Sequence, residues 1–353
     1  MIYDKNVLKN KRVFISCAAC LTVFTETLKW ANDKDLKKFN IKITYFPEDA
    51  DVIIVLGCQV TDLAILNDFH ILDNYMKKYP NKEYYIGGCV AQRPDIDSIN
   101  NSVNRIGHLI SLRSTSFNKN LVFWEKPFWI KDYNITNTKG NLFRYDNHIQ
   151  VGRGCHGKCK FCSIKTTRGK AAQVPFDIIK FEMKYYADKN KPITFVADTI
   201  SYNQIKETAN IAIENNQIVS YRNIEPQVLV KSFDILYNLA IRGFLHTIHS
   251  PIQSLNSDIL TDMNRDVDAS LESLKLMNKF NEIGVYTATN IIINYKDFKE
   301  DSTYSDLVLN KNNIYNHVAI NPYWDGIWDY NKALQRYKRY ILCNNYEKLS
   351  KKE

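Results

Sequence analysis

Ala50-Asp51-Val52-Ile53-Ile54-Val55-Leu56-Gly57-Cys58 is the stretch that decides how the chain folds. Its centre is a near-continuous run of β-branched residues with no polar position to face water. A strand of that kind is buried on both faces, as in a parallel sheet covered by helices. Working outward, 12–16, 41–46, 82–86 and 105–111 also read as strands, while 21–32 and 63–78 carry helical spacing. Strands alternating with helices imply right-handed crossovers and a parallel α/β sheet.

Residues 1–115 are therefore expected to form a small, flavodoxin-like parallel α/β domain. Residues 116–146 are polar and irregular, with Phe123, Trp124, Phe128 and Trp129 among them, and read as a linker. From His148 a second alternation begins. Strands are expected near 148–151, 193–197, 217–222, 245–249, 286–293 and 315–320, with helices near 176–188, 203–214, 230–241, 267–282 and 300–309. Six strands with intervening helices make a partial (β/α)6 barrel over 147–325, a fold whose chemistry sits at the strand C-terminal ends. Residues 326–353 read as a basic, aromatic C-terminal helix.

The 353 residues fit two domains, and 45% hydrophobic content excludes wholesale disorder. No apolar run approaches the ~20 residues of a membrane helix, and the N-terminus has no secretory apolar region. A cytoplasmic protein with no membrane partner is the expectation. The net charge of +9 comes from dispersed lysines, so a solvated surface explains it as readily as a nucleic-acid footprint. The eight cysteines are at 17, 20, 58, 89, 155, 159, 162 and 343. In a long reduced chain such clustering points to metal or redox chemistry rather than disulfides.

Three of them lie in Gly154-Cys155-His156-Gly157-Lys158-Cys159-Lys160-Phe161-Cys162, directly after the first barrel strand. Three thiolates on one loop suit three corners of a four-iron cluster and leave the fourth iron open. The competing reading is a zinc site, which normally needs four closed ligands. His156 is adjacent to Cys155 and badly placed to be the fourth. Lys158 and Lys160 read as charge compensation for an anionic cluster.

CxxxCxxC after the first strand of a partial barrel resembles the signature of the radical S-adenosylmethionine (SAM) enzymes. With Phe161 inside it and Thr167-Arg168-Gly169 after it, the segment resembles the methylthiotransferases more narrowly. That family has three further N-terminal cysteines. Ala19-Cys20, Gly57-Cys58 and Gly87-Gly88-Cys89-Val90-Ala91-Gln92 resemble their settings, with Cys17 an alternative to Cys20.

The resemblance implies two 4Fe–4S clusters, one on Cys155, Cys159 and Cys162 and one on Cys20, Cys58 and Cys89, together with SAM. It implies a transferase that turns a C–H bond into C–S–CH3 and draws electrons from a donor such as flavodoxin or ferredoxin. Asp198, in a loop of the aspartate-modifying type, and Gln253, Ser254 and Arg265, in a PxQS…MxR-like segment, are the implied SAM contacts. Glu182 matches a glutamate of the first barrel helix.

Two departures stand out. The family's GFPGE turn is replaced by Asn294-Tyr295-Lys296-Asp297-Phe298, and only about thirty residues follow the last barrel strand. The known tRNA- and ribosome-acting members carry a further β-barrel there. The expectation is accordingly a peptide or protein substrate, with a tRNA adenosine as the alternative and a non-catalytic iron–sulfur sensor or partner subunit as a third reading.

Overall fold

The structure is a computed structural model. It describes residues 5–17, 22–23, 34–44, 46–93, 95–96, 99, 147–169, 171–185, 190–296, 298, 301–309 and 314–336, and the short strand segments 108–109, 135–136 and 142–143. Two compact units divide these residues. One holds those up to 109, the pairs at 135–143 and the segment 326–336; the other holds 147–325.

The first unit is built on a parallel sheet of β1 (Arg12–Cys17), β2 (Lys42–Ile43), β3 (Val52–Gly57), β4 (Glu83–Gly88) and β5 (His108–Leu109). α1 (Lys34–Lys38) precedes β2, and α2 (Asp62–Lys78) links β3 to β4. The strand order is β2-β1-β3-β4-β5, the flavodoxin-like order. Every residue of β3 is buried, as its apolar run requires, and α2 lays Ile65, Leu66, Phe69 and Leu72 into the core. Thr61 caps α2 by accepting the Ala64 N–H. β6 (Ile135–Thr136) and β7 (Leu142–Phe143) pair antiparallel.

The second unit has a six-stranded parallel sheet. Its strands are β8 (His148–Gln150), β11 (Ile193–Val196), β12 (Val219–Tyr221), β13 (Leu245–His249), β14 (Tyr286–Ile293) and β15 (His317–Pro322), in sequence order. A two-strand flap of β9 (Gly152–Arg153) and β10 (Ala172–Gln173) brackets the loop between them, which carries the short α3 (Ile164–Arg168). α4 (Phe176–Tyr185), α5 (Tyr202–Glu214), α6 (Pro226–Ile241), α7 (Ser257–Asp262) and α8 (Val267–Glu282) cover the sheet. Ile149, Phe195, Tyr221, Ile248 and Ile291 share one core with Ile179, Ile205, Leu229, Leu236 and Phe280 of the helices.

Register then decides what faces the other way. Gln150 pairs with Val196, His249 with Ala288, and Ala288 with His317. Arg222 follows Tyr221, which is level with Phe195 and Ile248. One layer across the sheet is therefore Gln150, Val196, Arg222, His249, Ala288 and His317, opposite in sense to the helix-facing core residues. Val196 and Ala288 are the only apolar members, so this face is polar where a closed barrel would be packed with branched apolar side chains.

Several expectations are refined. β12 is shorter than 217–222, and α6 begins at Pro226 rather than near 230, proline being well tolerated in a first turn. The expected helix over 300–309 includes a wide π-type turn, Ser305–Leu309. The terminal helix is described over 330–336. Helix 21–32 lies mostly outside the described residues. Among the described residues, no helix is long and apolar enough to cross a membrane.

Candidate metal centre

The cysteine loop is tied down at both ends before any metal is considered. Asp198, just past β11, accepts the Gly154 N–H at 2.7 Å and the Arg168 Nε–H at 2.6 Å. Both side chains of that ion pair are almost fully buried. Cys155 N–H reaches the carbonyl of Gly169, whose φ of 81° lies in the left-handed region that favours glycine. The Thr167-Arg168-Gly169 motif and Asp198 thus form one clamp across the base of the loop.

From the other side, Lys160 N–H donates to Met263 O at 3.1 Å, and Asn264 Nδ2 donates to Lys158 O at 3.0 Å. Phe161 plugs into a small cluster of Ile259, Met263, Ile292 and Tyr295, with Phe298 and Tyr323 at its edge. Lys160 lies 3.6 Å from Asp262, which also holds Lys296 and accepts from Tyr295. Asn294 and Lys296 adopt φ of 55° and 48°. The turn that lacks the expected glycine still closes, since asparagine tolerates that region, and it delivers Tyr295 into the cluster against which Phe161 packs.

Cys155, Cys159 and Cys162 are brought together by this scaffold. Desolvation raises the pKa of Cys155 and pushes Cys162 up to about 12, with the neighbouring sulfurs adding to both. The Gly157 N–H donates to Cys155 Sγ at 3.1 Å. A Cβ at Gly157 would sit 3.1 Å from Cys155 Sγ and 3.8 Å from Cys159 Sγ, so glycine keeps the space between the two sulfurs open. Beside them is a cavity of about 260 Å³ lined by Cys155, Cys159, Ser201, Gln204, Glu225 and Arg265, among others.

Residues 149–307 match the radical SAM superfamily. A tRNA-2-methylthio-N(6)-dimethylallyladenosine synthase from Helicobacter acinonychis is 24% identical over 317 residues, 79% of this chain and 71% of the relative. A ribosomal protein uS12 methylthiotransferase RimO from Nitratiruptor sp. is 25% identical over 252 residues, 65% of this chain and 55% of the relative. The chain thus carries a radical SAM domain and is similar over most of its length to methylthiotransferases. Among solved structures, the radical SAM enzyme coproporphyrinogen III oxidase of Escherichia coli is 17% identical with a TM-score of 0.36, covering 51% of this chain and 44% of that one. The radical SAM match and the methylthiotransferase relatives support a radical SAM sulfur or methylthio transferase enzyme.

The radical SAM family implies a 4Fe–4S cluster and SAM, and the loop fits the cluster. Its donors are three thiols with the gap at Gly157 between them. Among the described residues, no three His, Cys, Asp or Glu side chains gather round a single ion. The thiolates of a cluster need not do so, because each takes a separate iron.

The family's other motif residues are placed as follows. Arg265 lines the cavity with Cys155 and Cys159, whereas Asp198, Glu182, Gln253 and Ser254 do not. Asp198 is engaged by the loop clamp. Gln253 holds φ at 72° because its N–H and C=O both bond to β14, at Asn290 and Ile292. Ser254 Oγ meets Thr303 and receives the Asn256 N–H. Glu182 is fully buried on α4. Sequence reasoning passed over Glu225, which its position just before Pro226 at a strand-to-helix turn could have flagged.

In the first unit, Gly57 and Gly88 are register partners, so Cys58 and Cys89 leave adjacent strands side by side. β1 ends level with them, Cys17 pairing with Leu56. These are the C-terminal ends at a topological switch point. Cys58 N–H donates to the buried Asp68 at 2.7 Å, and desolvation holds that carboxyl well above its usual range. A Cβ on Gly57 would fall 2.4 Å from Asp68 Oδ2, and one on Gly88 2.5 Å from Gly57 O. Gly88 is therefore required for the strand ends to lie this close, and Gly57 leaves room for the Asp68 carboxyl. Cys20 and Cys343 lie outside the described residues.

Proposed function

We propose that the protein converts a C–H bond of a peptide or protein side chain into C–S–CH3, using two 4Fe–4S clusters and two SAM per turnover. The observation that carries the two-cluster reading is the placement of Cys58 and Cys89 directly after the paired Gly57 and Gly88 at adjacent strand ends, in addition to the loop triplet. Cys155, Cys159 and Cys162 would hold the first cluster. Cys58 and Cys89 would hold the second, with Cys20 or Cys17 as third ligand. When bound, the first cluster with SAM supplies a 5′-deoxyadenosyl radical able to take hydrogen from an unactivated carbon.

The chain's own part is to position and shield. The Asp198–Arg168 clamp and the Met263–Asn264 contacts fix the loop, and Gly157 keeps its sulfurs accessible. The polar layer of the sheet supports a side-chain substrate. Arg222 is exposed there and makes no ion pair or hydrogen bond among the described residues, so its charge is available to a carboxylate. An external one-electron donor of the flavodoxin or ferredoxin kind is part of the same reading, as is a cytoplasmic location.

Anaerobic reconstitution tests the clusters. About eight irons per chain are expected, falling by roughly half in C155A/C159A/C162A and again in C58A/C89A. A wild-type value near four that is unmoved by C58A/C89A contradicts the second cluster. A tRNA substrate is the second reading, since tRNA-acting relatives match this chain as well as the ribosomal-protein ones do. Mass spectrometry of acidic peptides and of tRNA nucleosides, after incubation with SAM, sulfide and reductant, decides between them by which gains a methylthio group.

A further inference from the structure

Three consecutive residues hold three consecutive positions of the cysteine loop. Met263 O takes the Lys160 N–H, Asn264 Nδ2 reaches Lys158 O, and Arg265 Nη1 lies 3.8 Å from Cys159 Sγ. That same Nη1 is 2.5 Å from Glu225 Oε2, while Nη2 donates to Pro251 O. The Arg265 side chain is only 4% exposed and that of Glu225 19%. A guanidinium so fixed has few donors left for a diffusible ligand, and its charge stands against one sulfur.

We propose that Arg265 is a donor to the Cys159 sulfur that raises the reduction potential of the loop cluster, with Glu225 as an opposing charge. The inference rests on the reading of the cysteine loop as a cluster site and goes beyond any SAM contact. Reduction adds negative charge to the cluster and its thiolates. A cation within hydrogen-bonding reach stabilises that state, more strongly in a poorly solvated site than in water. Glu225 cancels part of the field, so the two residues act with opposite sign. Lysine keeps the charge at position 265 but lacks the fork that spans Glu225, Cys159 and Pro251 at once.

The test is potentiometric titration, followed by electron paramagnetic resonance, of the full chain reconstituted with iron and sulfide. It is run without SAM in a C58A/C89A background, so that only the loop cluster is read. At a fixed potential, R265Q is expected to lower the ratio of reduced to oxidised cluster at least tenfold, about 59 mV for one electron. E225Q is expected to raise that ratio, and R265K to fall between wild type and R265Q. Should R265Q take up no iron, the signs of E225Q and R265K decide.

Shifts of opposite sign support the role, since general loosening of the loop would move both variants the same way. An unmoved R265Q potential, or the same direction for R265Q and E225Q, overturns the inference while leaving the cluster intact. A parent chain that assembles no cluster overturns the cluster reading and the inference with it.

Discussion

The ring of His249 is held between two partners of fixed sense. Nδ1 accepts the Asn223 N–H at 3.1 Å, so the proton sits on Nε2 and is donated to Asn290 Oδ1 at 3.1 Å. Desolvation lowers its pKa to about 4, and Arg222 and His317 push in the same direction. Because the folded value is depressed below 6.5, the neutral ring contributes nothing extra at pH 7. As pH falls from about 6.5 to about 4, the unfolded chain binds a proton that the folded one refuses, and stability drops. The full penalty is about 3 kcal/mol, taking about 1.36 kcal/mol per pKa unit. Urea unfolding at pH 7 and pH 5 should show a loss that H249Q largely abolishes. An equal pH slope in the variant would assign the loss to other groups.

At the scale of elements, the clamp under the cysteine loop is the most exposed to a single change. Arg168 and Asp198 come from α3 and the end of β11, and neither has solvent to fall back on. R168M leaves a buried carboxylate uncompensated and should cost about 3–5 kcal/mol. R168M/D198L should recover most of that in urea unfolding while iron uptake stays impaired, since Gly154 loses its acceptor.

Much of this architecture is legible in the residues. α8 and β14 match the expected 267–282 and 286–293 because helical spacing, the Asp266 cap and a β-branched run all agree. The CxxxCxxC loop stands out by residue type and spacing, and the MxR segment only by the family resemblance. The flap of β9 and β10 does not stand out, since two-residue strands carry no period. Nor did any local pattern announce that Asp198 would bind Arg168, thirty residues away. Pairings of that kind are decided by topology, which brings the end of β11 beside the loop after β9.

At the scale of the whole molecule, the chain leaves its first unit for the last time after the pairs at 135–143 and comes back to it at 326. Arg93 donates to Gly326 O at 2.8 Å, Arg336 reaches the buried Asp62 at 3.1 Å, and Ala333 is fully buried. The last described residues are thus part of the N-terminal core. Truncation after Asp325 should reduce hydrogen-exchange protection along α2 and β4, leaving β11 to β14 unchanged. Equal loss in both units would contradict that assignment.

The same return of the chain sets an order of events during synthesis. Every strand of the six-stranded sheet has left the ribosome before residue 326 does, so that sheet can finish folding while the first unit still lacks its last pieces. The strand ends bearing Cys58 and Cys89 are made first and completed last. For that interval the first unit is incomplete, and the segment 326–336 is the latch that ends it.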